Sequence, residues 1–155
     1  MIIIAVDPGS EQSAMVWWDG KEVLRHEILK NEDLIQTILY FNDVDNCTMV
    51  IEMVASYGMA VGKTVFETVF WIGRFYQASS IPTELIYRKE IKEYFCHSMR
   101  AKDSNIRASL IDRFGEPGTK KDPGLAYGIK KDEWQAWALA VFQMDKQSTQ
   151  ERRKE

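Results

Sequence analysis

The sequence Ile-Ile-Ile-Ala-Val-Asp-Pro-Gly, residues 2–9, opens the chain with five apolar residues that end abruptly at an acid and a Pro-Gly pair. An apolar run of this length predicts a buried β-strand, and the Pro-Gly pair stops it. A second apolar run follows at residues 13–18, then the hairpin signal Asp19-Gly20, then a further strand pattern at residues 21–29. The chain is therefore predicted to begin with three antiparallel strands.

Helix and strand patterns alternate after this hairpin. Asn31 is a predicted N-cap with acids in the turn behind it, and the apolar run at residues 47–51 predicts a buried strand that ends at Glu52. Later patterns predict a helix over 64–78, a strand over 83–87 and helices over 88–96, 102–114 and 131–145.

This order of elements predicts an α/β fold with a five-stranded mixed sheet. The first three strands would be antiparallel, and the helices would cover both faces of the sheet. We expect one domain over residues 1–146, followed by a solvated C-terminal tail over residues 147–155.

Composition places the chain among ordinary globular proteins. It has 155 residues, 45% of them hydrophobic and 28% charged, and no apolar run approaches the length of a membrane span. Cys47 and Cys96 are too few for a disulfide framework, and no charged segment precedes the first apolar run as a signal peptide would require. These features predict a cytoplasmic protein with no membrane partner.

The net charge of −3 conceals an uneven distribution of charge. Residues 1–87 hold 5 Lys and Arg against 12 Asp and Glu, whereas residues 88–131 hold 11 against 6. A basic block of this kind can bind phosphates even in an acidic protein. The net charge therefore does not exclude a nucleic-acid partner, and the placement of the acids decides the interpretation.

Asp7 and Glu52 each end an apolar strand. If these strands are parallel neighbours, both carboxylates emerge at the same carboxyl edge, where open α/β sheets bind their ligands. Two such carboxylates repel each other unless a cation lies between them, and hard oxygen ligands suit Mg²⁺ or Mn²⁺. Gly9 lacks a Cβ and would let an anionic substrate approach closely. The alternative is that each acid only ends a strand in solvent.

The last predicted helix carries a third acid. Asp132 and Gln135 are three residues apart and so lie on one side of its first turn. Two-metal chemistry needs a further acid of this kind, and Asp132 is the candidate. Asp132 is equally explained as an N-terminal helix acid that the helix dipole favours, and the sequence leaves both interpretations open.

Three motifs follow one another along the chain. They are Ile-Ala-Val-Asp-Pro-Gly-Ser at residues 4–10, Val-Ile-Glu at 50–52, and Asp-x-x-Gln-Ala-x-Ala-Leu-Ala at 132–140. Together they resemble the RuvC family of Holliday junction resolvases, which belongs to the ribonuclease H-like superfamily. The similarity extends over residues 2–142, includes basic stretches around Ile91-Lys92 and at 101–106, and is greatest to members that bacteriophages encode.

The resemblance implies a ribonuclease H-like fold and a two-metal, structure-selective endonuclease that acts on branched DNA. The protein would act as a homodimer in a bacterial or phage-infected cell, each subunit cutting one strand of a four-way junction. Asp7, Glu52 and Asp132 match three of the family's four metal-binding acids, and two Mg²⁺ or Mn²⁺ ions would bind in each site.

The fourth metal-binding position falls on Gln135, where the usual pattern has Asp. A neutral amide is a weaker metal ligand than a carboxylate, so this departure is also compatible with a non-catalytic relative. Glu133 would substitute for the missing acid only if the helix rotated by about 100°.

The basic block supplies candidate contacts to DNA. Lys102 is the candidate for the positive charge that offsets charge developing on the phosphate. Tyr57 lies in the loop where family members can carry an aromatic that stacks on bases, and its alternative is an ordinary surface residue. The other candidate DNA-binding residues are Lys89, Lys92, Arg100, Lys130 and Lys131. Acids are interspersed among them, so solvated helix faces are the alternative interpretation.

The helix predicted over residues 64–78 carries two phenylalanines outside its apolar face. Val65, Val69 and Ile72 belong to that face, whereas Phe66 and Phe70 lie about 100° away from it. Exposed phenylalanines usually mark an interface, so Phe66 and Phe70 are the candidate homodimer contact.

Three other functions remain open. An ATP-using protein of the actin and sugar-kinase group also begins with an Asp-x-Gly hairpin, but it needs a second phosphate loop and a second domain. We therefore expect no nucleotide cofactor. A nuclease of the same fold could act on RNA or replication forks, and a non-catalytic protein could bind DNA junctions without cutting them.

Overall fold

The computed structural model describes residues 1–154, and this range contains five strands and five helices. The strands are β1 Ile2–Asp7, β2 Gln12–Trp18, β3 Val23–Lys30, β4 Cys47–Met53 and β5 Thr83–Tyr87. The helices are α1 Asn31–Phe41, α2 Lys63–Ala78, α3 Arg88–Cys96, α4 Asp103–Phe114 and α5 Glu133–Arg152.

One mixed sheet organises the fold, with strand order β3-β2-β1-β4-β5. β1, β2 and β3 pair antiparallel, whereas β1 with β4 and β4 with β5 pair parallel. The hairpin signal at Asp19-Gly20 connects β2 to β3, because Gly20 adopts a φ of +95° that favours glycine. The predicted five-stranded mixed sheet, with its first three strands antiparallel, is confirmed.

Helices cover both faces of the sheet, and each face has its own apolar core. α3, α4 and α5 pack on one face against Ile3, Ala5, Val50 and their neighbours. α1 and α2 pack on the other face against the alternate residues of the same strands. Because side chains alternate along a strand, β1 presents Ile3, Ala5 and Asp7 to the face that α5 covers.

α5 is the most deeply buried helix, and residues 134–141 are almost entirely withdrawn from solvent. Trp137 packs edge-on against Trp18 at 5.8 Å between ring centroids and lies 5.1 Å from Phe114. Burying a side chain of this size contributes about 2–3 kcal/mol to folding. These contacts explain why the tryptophans pack inside the fold, and they fix the first turn of α5 against the sheet.

The structure departs from the predicted elements in three places. α5 continues to Arg152, so residues 147–152, expected in a tail, extend the helix. α2 buries Thr68, Ile72 and Phe75, whereas Val69, expected on its apolar face, is exposed. Asn31, expected to cap α1, makes no capping hydrogen bond with its side chain. In the described range, no helix is both long and apolar enough to cross a membrane.

Candidate active site

Asp7 and Glu52 lie next to each other at the carboxyl edge of the sheet. Val6 pairs with Ile51 in the parallel β1–β4 register, so the next residues along the two strands are the two acids. Both side chains belong to the face that α5 covers, since Ala5 and Val50 lie on that face. Glu52 is only 5% exposed. The fold therefore brings together two carboxylates that are 45 residues apart in sequence.

Burial and mutual repulsion make both carboxylates costly to ionise. The pKa of Asp7 is raised well above its ordinary value, mainly by burial and then by the nearby charges of Glu52 and Asp132. Burial also raises the pKa of Glu52, and this rise is opposed by the positive charge of Arg88. Buried acids that repel each other are stabilised by a cation, and their oxygens are the donors that Mg²⁺ and Mn²⁺ prefer.

Arg88 belongs to the basic block that the sequence predicts beside the acids, and its pairing with Glu52 is a role that the sequence interpretation did not give it. Its Nη1 donates to Glu52 Oε1 at 2.9 Å, and its Nη2 pairs with the carboxylate of Asp103. Arg88 directly follows β5, which pairs parallel to β4, so the order of strands places it at the same edge as the acids. A basic residue directly after an edge strand was the available signal. The pairing with Asp103 depends on the packing of α4, which no sequence pattern reveals.

Asp132 lies at the start of α5 and is exposed, whereas Asp7 is half-buried and Glu52 is buried. It is the N-cap residue, and its backbone carbonyl accepts from the amides of Gln135 and Ala136 at 3.0 and 3.1 Å. Its carboxylate is close enough to Asp7 to raise the pKa of that residue. The fold thus places Asp132 near Asp7, but among the described residues Asp7, Glu52 and Asp132 do not join in one three-acid cluster.

Gln135 is buried on the same first turn of α5, with 5% of its surface exposed. Across residues 1–154, no three His, Cys, Asp or Glu side chains converge closely enough to hold a metal ion together. The oxygen donors of Asp7 and Glu52 fit a divalent ion chemically. Asp132 and the amide oxygen of Gln135 are the additional oxygen donors that α5 offers.

Glu133 does not substitute for the missing acid, because its carboxylate is bound elsewhere. It is 1% exposed, and its Oε2 lies 3.0 Å from His26 Nδ1 and accepts from the backbone amide of Lys130 at 2.9 Å. These partners lie on the β3 side of α5. The carboxylate holds the loop before α5 in place and does not face Asp7.

Tyr57, Lys89 and Lys92 lie together beside Glu52. They line a cavity of about 370 Å³ with Arg88 and with two methionines, Met59 and Met99. Lys89 Nζ is 5.5 Å from the centre of the Tyr57 ring, and the positive charge of Lys92 opposes the rise that burial causes in the pKa of Glu52. Tyr57 is 57% exposed and has a φ of +48°, a strained value for a bulky residue.

The other predicted basic residues are distributed more widely. Lys130 and Lys131 line a polar cavity of about 530 Å³ near the start of β2, on the other side of the acids from Tyr57. Lys102 precedes α4, and its backbone amide donates to Asn105 Oδ1 at 2.8 Å. Arg100 lines a different cavity, between α3 and α4. The structure therefore gathers Lys89 and Lys92 at the acids and leaves Arg100 further along the surface.

Phe66 and Phe70 are both 64% exposed on α2. Arg74 covers the adjacent Trp71 at 4.2 Å from its ring centre and lies 5.8 Å from the ring of Phe70. α2 packs on the face of the sheet opposite to α5. Phe66 and Phe70 remain the predicted homodimer contact.

Comparison with known proteins supports the fold. No protein-family model and no curated protein matches the sequence. A solved structure of Thermus thermophilus RuvC matches with a TM-score of 0.64 at 13% identity, covering 91% of this chain and 92% of that one. The chain has a RuvC-like fold. A structure of T. thermophilus RuvC in complex with a Holliday junction substrate also matches this chain, with a TM-score of 0.65 at 12% identity and coverage of 91% of each chain.

Proposed function

We propose that this protein is a metal-dependent endodeoxyribonuclease that resolves four-way or otherwise branched DNA by hydrolysing phosphodiester bonds. The observation that carries the proposal is the pair of adjacent carboxylates at the carboxyl edge of a RuvC-like sheet, half-buried Asp7 and buried Glu52. Such a pair costs stability unless it binds a cation, so its presence in a packed fold favours a function over a structural role.

The protein would hold the metal from two elements. Asp7 and Glu52 would bind from the sheet, and Asp132 and the amide oxygen of Gln135 would bind from α5. Two bound Mg²⁺ or Mn²⁺ ions supply a nucleophilic hydroxide and stabilise the leaving 3′ oxygen in nucleases of this type. The contribution of the chain is to orient the carboxylates rigidly, because both strands are central in the sheet.

Cationic side chains beside the acids would hold the phosphates. Lys89 and Lys92 lie next to Glu52 across the Tyr57 cavity, and Lys130 and Lys131 lie on the other side of the acids. A strand that crosses the site would contact both groups, which contributes affinity without sequence preference. Tyr57 would stack on a base, Lys102 would offset charge that develops on the phosphate, and Arg100 would contact the backbone further along.

A homodimer would present two such sites to one junction, with Phe66 and Phe70 of each chain in the contact. Their exposure on a helix that packs on the face of the sheet opposite to α5 supports this assignment, since the contact would leave both sites open. Opposite strands of a four-way junction could then be cut by the two subunits.

Gln135 favours a second candidate function, which is binding of branched DNA without cleavage. The amide lowers the negative charge available to a second metal ion, and the three acids do not form a compact cluster among the described residues. The same cationic surface would still bind DNA.

Cleavage of a substrate panel tests the proposal. Four-way, Y-shaped and linear DNA and an RNA duplex are each incubated with the protein and Mg²⁺ or Mn²⁺. We expect paired cuts in the four-way junction and none in linear DNA. Binding of junctions without cleavage in either metal would establish the second candidate. Preferential cleavage of RNA or of Y-shaped DNA would overturn the junction assignment.

A further inference from the structure

Asn31 uses its side chain to bind the turn that follows Asp7. Its Nδ2 donates to the carbonyl of Gly9 at 2.9 Å, and its Oδ1 accepts from Ser13 Oγ at 2.7 Å. Ser13 Oγ accepts in turn from the amide of Gly9 at 3.1 Å, which closes a ring of three hydrogen bonds. The backbone amide of Asn31 also donates to the carbonyl of Glu11 at 2.9 Å. Asn31 thus binds two carbonyls of the turn, those of Gly9 and Glu11.

The ring of hydrogen bonds does not cap α1, the helix that Asn31 begins. Asn31 begins α1, yet its side chain makes no capping bond, and it is completely buried. Ser13 is 2% exposed. Burying an amide and a hydroxyl is unfavourable unless both are fully paired, and here all the pairing is with the turn or within the ring. The hydrogen bonds of Asn31 and Ser13 therefore stabilise the turn.

The turn is tight, so a small shift of its backbone also moves Asp7. A Cβ on Gly9 would lie 2.3 Å from the carbonyl oxygen of Gln12, so the backbone approaches as closely as glycine permits. The only residue between Asp7 and Gly9 is Pro8, and its ring fixes its backbone φ angle. Since Asp7 is also paired with Ala14 across β1 and β2, the ring and the strand pairing together determine the direction of its carboxylate.

We propose that Asn31 and Ser13 are positioning residues that hold the Asp7 carboxylate in the orientation needed to bind a divalent cation beside Glu52. This inference rests on the proposed function, because it assumes that Asp7 is a metal ligand. Groups that orient a ligand from behind change metal affinity by about 10- to 100-fold when they are removed.

The test compares Mn²⁺ affinities of the folded protein by isothermal titration calorimetry. Asn31→Leu removes both side-chain hydrogen bonds, and we expect Mn²⁺ to bind at least 10-fold more weakly. Ser13→Ala deletes a hydroxyl that takes part in two bonds of the ring, and we expect a loss of about 10-fold, the lower end of the same range. Ser13→Thr retains the hydroxyl and is expected to restore the affinity.

Asn42 provides the matched control. Its Nδ2 donates to the carbonyl of Ala78 at 2.9 Å and its Oδ1 accepts from the amide of Ser80 at 2.8 Å, at the opposite edge of the sheet. Asn42→Leu likewise removes one donated and one accepted hydrogen bond of an amide side chain, so it reports the effect of lost stability alone. We expect its Mn²⁺ affinity to stay within 2-fold of the wild type.

Equal affinities in the wild type and Ser13→Ala would overturn the inference, and so would an equal loss in Asn42→Leu. Ser13→Ala keeps the test decisive if Asn31→Leu does not fold. A wild type that binds Mn²⁺ but cuts no branched DNA would refute the proposed function and leave this comparison intact. A wild type that binds no Mn²⁺ would overturn both.

Discussion

At the scale of single residues, the properties of the site depend on the ionisation of two carboxyl groups, Asp7 and Glu52, and on the positive charge of Arg88. Asp7 and Glu52 are ionisable groups in an environment that opposes their ionisation, and Arg88 offsets only part of that cost. Asp7 lacks a direct pairing of this kind, and its pKa is the more strongly displaced upward. It is therefore the residue whose substitution separates binding from catalysis most clearly.

Asp7→Asn should reduce cleavage of a four-way junction by about 100-fold or more, because an amide is a poor ligand for a hard cation. Junction binding should be unchanged or stronger, since a negative charge is removed from a surface that meets phosphates. Gel-based cleavage and binding assays on the same DNA measure both effects. Asp19→Asn, in the exposed hairpin turn, is the control and should change neither. Loss of binding together with cleavage would mean that Asp7 is structural.

The raised pKa of Asp7 has a consequence for stability as well. A carboxyl group with a folded-state pKa above its unfolded value of about 3.9 destabilises the fold as the pH rises through the folded pKa. In the presence of a chelator, Asp7→Asn should therefore be more stable than the wild type at pH 8. The advantage should shrink as the pH falls, and it should vanish near pH 4. Urea unfolding across this pH range measures it, and an advantage that grows toward acid would contradict the assignment.

At the scale of elements, the strand ends are predictable and the contacts between elements are not. The apolar runs at residues 2–6 and 47–51 place Asp7 and Glu52 at strand ends, and a parallel pairing brings them together at one edge. The roles of Arg88 and Asn31 could not be predicted, because each depends on residues far away in sequence. Likewise, the buried side of α2 depends on where α1 packs, so helical periodicity alone misplaces it.

Arg88 connects three elements, since it joins β4 through Glu52 and α4 through Asp103 at the start of α3. Arg88→Gln should lower the free energy of unfolding by about 1–3 kcal/mol at neutral pH, because Glu52 loses its partner while it stays buried. Arg25→Gln is the matched control, since Arg25 pairs with Glu27 at 2.7 Å on the surface. It should cost less than about 1 kcal/mol. Equal losses in urea unfolding would show that the Arg88 pair is no more than a surface contact.

At the scale of the whole molecule, the two faces of the sheet carry different groups of residues. One face carries α5 and the acids, and the other carries α2 with its exposed phenylalanines. The RuvC-like topology is predictable from the order of strands and helices. The positions of the basic residues around the acids are harder to predict. Lys89 and Lys92 adjoin the acids, whereas Arg100, only a few residues later, lines a separate cavity.

Substituting the exposed phenylalanines should separate assembly from folding. Phe66→Glu with Phe70→Glu should convert a dimer to a monomer, because four buried charges in the contact would repel and lose hydration. Light scattering after size-exclusion chromatography measures the mass. Leu24→Glu, at a 47% exposed position on β3, is the control and should leave the mass unchanged. A wild type that is monomeric at the concentrations used for cleavage would contradict the dimer.

The deep burial of α5 links the candidate site to the global stability of the protein. Amides in residues 134–141 can exchange with solvent only when the helix leaves the sheet, and this requires most of the fold to open. Asp132, at the start of the same helix, is thus held by the slowest-exchanging part of the molecule. Residues 55–60, which include Tyr57, are all exposed and lack the burial that anchors α5. The protein would therefore combine a rigid set of acids with an exposed loop, and heat inactivation should follow global unfolding.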